Sequence, residues 1–389
     1  PNYHPIPVVI ERAKGVWMWD IEGKKYLDMM SAYSAVSHGH SHDKLLKALG
    51  EQAAKLAMTS RAFHTDQLYP LLEKLTRLSG FEMALPMNTG AEAVETAIKS
   101  SRRWGYRSKA IPEDQAEIIV CHGNFHGRTT TIISFSSEPA YKVHFGPLTS
   151  GFKSVPFGDA DALEAAITPN TCAFLVEPIQ GEAGIIVPPD GYLKAIREIC
   201  SKHNVLLIMD EVQSGLGRTG KMFTFEHENI KPDALILGKA LGGGLLPISM
   251  FLANKDVMQH MTPGSHGSTF GGNPLACHVA SVAIDLLEQE GLIENSRVLG
   301  EYLMTELKKI KSPLISGVHG RGLWVGLEFN RELVSARRMC EVLKDKGLLS
   351  KETHDTVVRL APPLVITKTE IDLAIETIKS AVAEVEAAL

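Results

Sequence analysis

Cysteine is scarce and unpatterned in this 389-residue chain: Cys121, Cys172, Cys200, Cys277 and Cys340 include no C-x-x-C pair. An odd, scattered set excludes a disulfide framework and a cysteine zinc site, and it suits a reducing compartment. Apolar runs stop well short of the roughly eighteen residues a membrane span needs. Lysine and arginine nowhere gather into a basic run, and the formal net charge is −5. Such a chain has little with which to neutralise a phosphate backbone, so the expected partners are small molecules rather than nucleic acid. Internal repeats and low-complexity segments are lacking as well. The length suffices for two domains, and 44% hydrophobic residues can fill their cores. Because the sequence opens on Pro1 rather than Met, the native N-terminus is expected to precede it. The cytoplasm is the expected location, with the mitochondrial matrix as the alternative if a transit peptide has been removed.

The most informative stretch is 205–244. Two short apolar runs, 205–209 and 234–237, have the composition of strands buried on both faces. Each leads into a charge that a buried strand has no structural use for, Asp210 and Lys239. In open α/β sheets such strand ends face the ligand crevice, which points to cofactor chemistry. A buried Asp–Lys ion pair is an equally simple reading of these two residues alone. Residues 215–220 imitate a dinucleotide fingerprint, G-x-G-x-x-G, and with Lys221 most of a phosphate-binding loop. The hydroxyl a phosphate-binding loop needs is replaced by Met222, and residues 210–214 separate the glycines from the strand. The cluster therefore reads first as a turn.

Elsewhere, residues 2–7 are too proline-rich for a helix and should form an extended arm. Residues 16–20 and 24–28 pattern as a β-hairpin, and 31–37 as a loop of small residues around Tyr33, suited to a pocket lining or to ordinary loop packing. His38, His40 and His42 lack a further ligand at metal spacing beyond Asp43, so no metal is expected. Asn88 and Thr89 can cap a helix over 91–104, whose free N-terminal amides suit an anion. Strand and helix then alternate through 118–121, 173–176 and 192–202, implying a mostly parallel, doubly wound sheet. From about residue 275, longer helices (275–290, 295–311 and 368–389) surround short strands (323–329 and 357–360), the texture of a smaller α+β domain. The expected division is 1–45 for the arm and hairpin, 46–274 for the large domain and 275–389 for the small one.

Motifs spread along the whole chain carry a family resemblance: Asn2-Tyr-His-Pro5, Met87-Asn-Thr-Gly-Ala-Glu92, Gly123-Asn-Phe-His-Gly-Arg-Thr129, Val176-Glu-Pro-Ile-Gln-Gly-Glu-Ala-Gly184, Asp210-Glu-Val-Gln213, Leu237-Gly-Lys-Ala240 and His266-Gly-Ser-Thr-Phe-Gly-Gly-Asn-Pro274. The chain resembles the subgroup III, fold-type I aminotransferases that use pyridoxal phosphate, and within them the ornithine δ-aminotransferase branch. The resemblance implies an α/β fold with a large cofactor domain and a small α+β domain. It implies ping-pong transamination from L-ornithine to 2-oxoglutarate, a step of arginine and proline metabolism. Lys239 would be the Schiff-base lysine, Asp210 the partner of the pyridine nitrogen, Gln213 the neighbour of the ring oxygen and Phe125 the residue stacked on the ring. Gly90 and Ala91 would hold the phosphate, completed by Ser268 and Thr269 of a neighbouring subunit in a homodimer. Tyr3 and Arg128 would hold the donor's α-carboxylate, and Tyr33 would sit at its α-amine. Arg359 would clamp the acceptor's carboxylate, masked by Glu182 during the donor half-reaction. Acetylornithine or 4-aminobutyrate as donor is the alternative within the class, and a nicotinamide-dependent oxidoreductase the one outside it. Two departures, His126 in place of a larger aromatic and Asp43 after His42, are expected not to touch the chemistry directly, although His126, beside Arg128, could tune which donors are accepted.

Overall fold

The computed structural model describes residues 2–389; Pro1, the first residue of the expected arm, lies outside them. A seven-stranded sheet forms the centre, in the order Met83–Met87, Ser249–Ala253, Ala234–Leu237, Leu206–Asp210, Thr171–Val176, Glu117–Cys121 and Phe152–Val155. Only Ser249–Ala253 runs against its neighbours, so the sheet is mostly parallel, as the strand–helix alternation implies. Leu206–Asp210, Thr171–Val176 and Ala234–Leu237 are buried at every residue, which accounts for their unbroken apolar runs.

Helices cover both faces. Gly90–Arg107 starts at a capping box in which Thr89 accepts from the Glu92 amide and Glu92 accepts from the Thr89 amide. Its Val94, Ala97, Ile98 and Ser101, the stripe read from the sequence, are buried against the sheet. Tyr192–Lys202 matches the expected bounds, while Leu292–Leu307 begins three residues before the expected helix, after the left-handed Gly291.

A second sheet, in the order Ile315–Gly320, Val325–Phe329, Val357–Leu360 and Lys351–Thr353, is antiparallel throughout. The N-terminal hairpin pairs Trp17–Asp20 with Lys25–Asp28, and a strand absent from the sequence reading, Ile10–Lys14, adds to its edge. Ile10–Lys14 carries three charges in five residues and no aromatic, so strand propensity gives no sign of it. On the other edge Leu348–Leu349 pairs in parallel with Lys25–Asp28, tying the first residues to the last quarter of the chain.

After the hairpin, Ser31, Ala32, Tyr33 and Ser34 all adopt left-handed backbone, with φ of 44°, 47°, 59° and 71°. Each such non-glycine residue costs about 1–2 kcal/mol, so a turn of four persists only where its surroundings hold it.

Candidate active site

The carboxyl ends of the parallel strands gather the chemistry. Asp210 ends Leu206–Asp210, Glu177 follows Thr171–Val176, Phe125 and His126 follow Glu117–Cys121, and Lys239 stands two residues beyond Ala234–Leu237. One cavity is lined by Gly90, Ala91, Phe125, Asp210, Gln213 and Lys239, all singled out from the sequence. Gly127, Glu177 and Val212, which were not, line it too, as does His126, noted in the sequence only as a departure from the family pattern. Gly127 has a φ of 124°, and a Cβ there would come within 2.8 Å of the Ala91 Cβ, so only glycine lets this loop meet the start of the helix Gly90–Arg107.

Asp210 and Lys239 do not form the ion pair that the sequence left open. The Asp210 carboxylate instead accepts from His126 Nδ1 at 2.7 Å and from the Val212 amide at 3.0 Å. This overturns the expectation that His126 does not touch the chemistry directly. Phenylalanine could not donate this bond, and the imidazole lies wholly buried against the acid. Burial opposes charge on His126, but the hydrogen bond to Asp210 and the charges of Asp210 and Glu177 prevail and raise its pKa. Burial pushes the neighbouring Glu177 carboxyl up to about 7, against the pull of His126. Glu177 accepts from the amides of Phe125 and Gly181, fixing the two loops that flank the cavity.

The Lys239 amine donates no hydrogen bond among the described residues. Burial, with Arg359 adding to it, holds its pKa below the ordinary lysine value, although Asp210, Glu182 and Glu177 pull the other way. A neutral amine is a nucleophile. The residue also has a φ of 42°, local strain of the kind that collects at working sites.

Beside this amine lies a polar chain. Arg359, on Val357–Leu360 and almost fully buried, pairs with Glu182 at 3.0 Å and donates to Gln213 Oε1 at 3.2 Å and Thr353 Oγ1 at 3.0 Å. Gln213 in turn donates to Glu182 at 3.0 Å. The guanidinium sits 5.2 Å from the Tyr33 ring centroid. Burial works against charge on Glu182, but Arg359 and Gln213 outweigh it and keep the carboxyl below its ordinary range.

The remaining sequence candidates stand further out. Tyr3 is exposed and shares a separate cavity with Tyr33, walled by Ile6, Met18 and Met30. Arg128 does not line that cavity; its guanidinium lies 3.5 Å above the Tyr141 ring. Ser268 accepts from Asn88 at 2.9 Å, and neither it nor Thr269 lines the Lys239 cavity. His38, His40 and His42 turn to three different acceptors, the Ala283 carbonyl, Asp28 and Glu290.

The cavity fits pyridoxal phosphate. The amides of Gly90 and Ala91 make no hydrogen bond among the described residues and open an eighteen-residue helix, a ready anion cradle. His126 Nε2 and Ser214 Oγ are buried at its wall without partners, as expected of polar atoms awaiting a bound group.

The chain is similar to known proteins over nearly its whole length. The ornithine aminotransferase of Brevibacillus brevis is 58% identical over 97% of this chain and 94% of its own length, and that of an Exiguobacterium species 59% over 98% and 94%. Among solved structures, the Toxoplasma gondii ornithine aminotransferase, whose active site holds pyridoxal phosphate at partial occupancy, superposes with a TM-score of 0.98. It is 43% identical, covering 100% of this chain and 92% of that one. An acetylornithine aminotransferase from Elizabethkingia anophelis reaches a TM-score of 0.91 at 52% identity, over 98% and 96%. The family model described as aminotransferase class-III matches residues 1–382, and the chain belongs to that pyridoxal-phosphate-dependent family.

Proposed function

We propose that the chain is an L-ornithine:2-oxoglutarate δ-aminotransferase, yielding glutamate 5-semialdehyde, which cyclises to pyrroline-5-carboxylate, and glutamate. The observation that carries the reading is the Arg359–Glu182–Gln213 chain beside Lys239. One site must take a donor whose distal end is a bare amine and an acceptor with a carboxylate at each end. A cation that a nearby acid can mask or release serves both.

In this reading Gly90 and Ala91 hold the cofactor's phosphate, Phe125 its ring face, Gln213 its ring oxygen and Asp210 its ring nitrogen. Pyridoxal phosphate, when bound, supplies an electron sink for charge developing on the substrate carbon. Lys239 would carry the cofactor, and its neutral Nζ would move the proton at the amine-bearing carbon. Asp210 would keep a negative charge at the ring nitrogen, its carboxylate fixed by His126. Glu182 neutralises Arg359 while ornithine is bound, Tyr33 faces the α-amine, and Tyr3 with Arg128 holds the α-carboxylate. When 2-oxoglutarate enters, the carboxylate beside its keto carbon would replace Glu182 on Arg359.

Ser268 and Thr269 serve a second copy's phosphate site, making a homodimer the working unit. Their place off the chain's own cavity and the exposed apolar Phe63, Tyr69 and Phe270 support this. We place the domain boundaries after residues 45 and 274, supported by the pairing of Lys25–Asp28 with Leu348–Leu349. The cytoplasm is the proposed location, supported by five free, buried cysteines.

Acetylornithine is the second reading, because its aminotransferase in Elizabethkingia shares 52% identity. A donor panel at fixed 2-oxoglutarate decides between them. Ornithine should lead, and Tyr33→Ile should lower its lead over N-acetylornithine and 4-aminobutyrate by about tenfold or more. An unchanged ranking in the variant would remove Tyr33 from the site, and N-acetylornithine leading in the wild type would overturn the ornithine reading.

His126→Phe tests the contact that the sequence did not reveal. A hydrogen bond to a charged group contributes about 1.5–3 kcal/mol, so cofactor affinity and kcat should fall by roughly ten- to a hundredfold. Titration of the apoprotein with pyridoxal phosphate reads the first directly. Wild-type affinity in the variant would show that the imidazole does not support Asp210.

A further inference from the structure

The glycine cluster at 215–220 has no part in the reaction as described, yet it delivers the most deeply buried cation in the molecule to a definite place. A Cβ on Gly220 would come within 2.8 Å of Arg297, and Gly217 and Gly220 have φ of 90° and 85°. This close-packed turn sends Arg218 inward, fully buried and with no carboxylate at ion-pair distance among the described residues. Its donors go elsewhere. Nη1 donates to the carbonyls of Pro362 at 2.6 Å and Leu323 at 2.9 Å. Nη2 donates to Ser31 Oγ at 3.2 Å and Ser37 Oγ at 3.1 Å.

Those two serines bracket the left-handed turn. Ser31 opens it and donates its hydroxyl to the Ala361 carbonyl at 2.7 Å. Ser37 lies beyond its end and donates to the Ser34 carbonyl at 3.1 Å. Asp28 adds a cap by accepting from the amides of Met30 and Ser31, both at 2.8 Å. Arg218 thus joins both ends of the Tyr33 turn to residues 361–362, which continue the strand that carries Arg359. A buried guanidinium that feels Asp28 only through its charge, with no direct ion pair, is a poor device for stability alone, since apolar side chains of similar volume commonly do as well. Its bonds make sense as a means of fixing one element relative to another.

We propose that Arg218 is a positioning residue for donor selection: it clamps the strained turn Ser31–Ser34 to the segment after Arg359, and so sets the Tyr33 ring against the Arg359 guanidinium. This rests on the proposed role of Tyr33 at the donor's α-amine. Without the clamp, the turn relaxes toward ordinary right-handed or extended backbone and Tyr33 leaves its place.

The test uses the holoenzyme of two variants, Arg218→Met and the milder Ser31→Ala/Ser37→Ala, which keeps the cation and removes its two acceptors on the turn. In both, KM for the preferred ω-amine should rise and its preference over the other amines fall by about tenfold, with kcat changed by less than about threefold. Arg218→Lys, retaining donors, should recover part of the preference. Hydrogen exchange of the apoproteins gives a readout independent of the cofactor: the peptide spanning residues 28–37 should exchange faster while the central strands keep their protection. Exchange rising uniformly with an unchanged donor ranking would mark Arg218 as a plain structural residue and overturn the proposal. Should Arg218→Met fail to fold, the serine pair decides alone. If the wild type prefers an amine other than ornithine, the ornithine reading fails, and the clamp is judged by the same ratio for whichever amine leads.

Discussion

Lys239→Met should have no measurable transaminase activity, a loss of more than about 10⁴-fold, because the substitution removes the one side chain proposed both to carry the cofactor and to move the proton. Borohydride reduction followed by mass spectrometry should find a pyridoxyl adduct on the Lys239 peptide of the wild type and none in the variant. The same substitution should stabilise the apoprotein near pH 7. Burial keeps the folded-state pKa of Lys239 below its ordinary 10.5, so the folded chain binds this proton less tightly than the unfolded chain. The penalty is complete below the lowered folded value and fades as pH rises toward 10.5. Methionine has nearly the same shape and no charge, and the left-handed φ of 42° burdens both residues alike. Thermal unfolding of the two apoproteins should therefore favour the variant at pH 7, with the gap narrowing by pH 10. Cofactor must be absent from both, since its binding would stabilise the wild type by mass action. A variant that melts below the wild type at pH 7 would mean that the amine is not held against its own charge.

The part of the site legible in the sequence is the part marked by a conflict between a residue and its local surroundings. Asp210 and Lys239 stood out because a charge at the end of an apolar strand needs a reason, and the sheet puts both at its carboxyl edge. The helix after Thr89 was legible from its cap and its apolar stripe. Contacts that join distant loops carry no such signal. His126 and Asp210 are 84 residues apart, and nothing local to His-Gly-Arg tells a surface histidine from one buried on a carboxylate. Strand order was hidden for the same reason, along with the antiparallel Ser249–Ala253, whose direction depends on partners at Met83–Met87 and Ala234–Leu237 rather than on its own residues. The turn Ser31–Ser34 was hidden more deeply. Left-handed backbone is usually announced by glycine, and here serines, an alanine and a tyrosine are forced into it by a side chain nearly two hundred residues away. Arg218 itself was set aside with the glycine cluster around it, since a turn of glycines conceals whether the residue between them faces water or the core.

Two substitutions at the ion pair beside Lys239 should separate the half-reactions. Arg359→Leu removes the acceptor's clamp and should lower kcat/KM for 2-oxoglutarate by about thirtyfold or more, the effect expected at about 2 kcal/mol or above for one partner of a buried charge pair. The ornithine half-reaction, in which Glu182 neutralises that arginine, should be slowed far less. Glu182→Ala has the opposite sense. Arg359 then stays unmasked, glutamate binds well as a donor, and ornithine loses its advantage because its distal amine meets an uncompensated cation. Single-turnover absorbance of the bound cofactor reads each half-reaction separately. The switch should also be insensitive to pH in the working range. Arg359 and Gln213 hold the folded-state pKa of Glu182 below its ordinary 4.5 in spite of burial, so the contribution of the pair is complete above that value and is lost only as pH falls through the lowered one. Between pH 6 and 9, then, the ratio of the two half-reaction rates should show no inflection from Glu182. Equal slowing of both halves by Arg359→Leu would mean that the arginine shapes the site as a whole, and the masking by Glu182 would have no part in how one cavity serves two substrates.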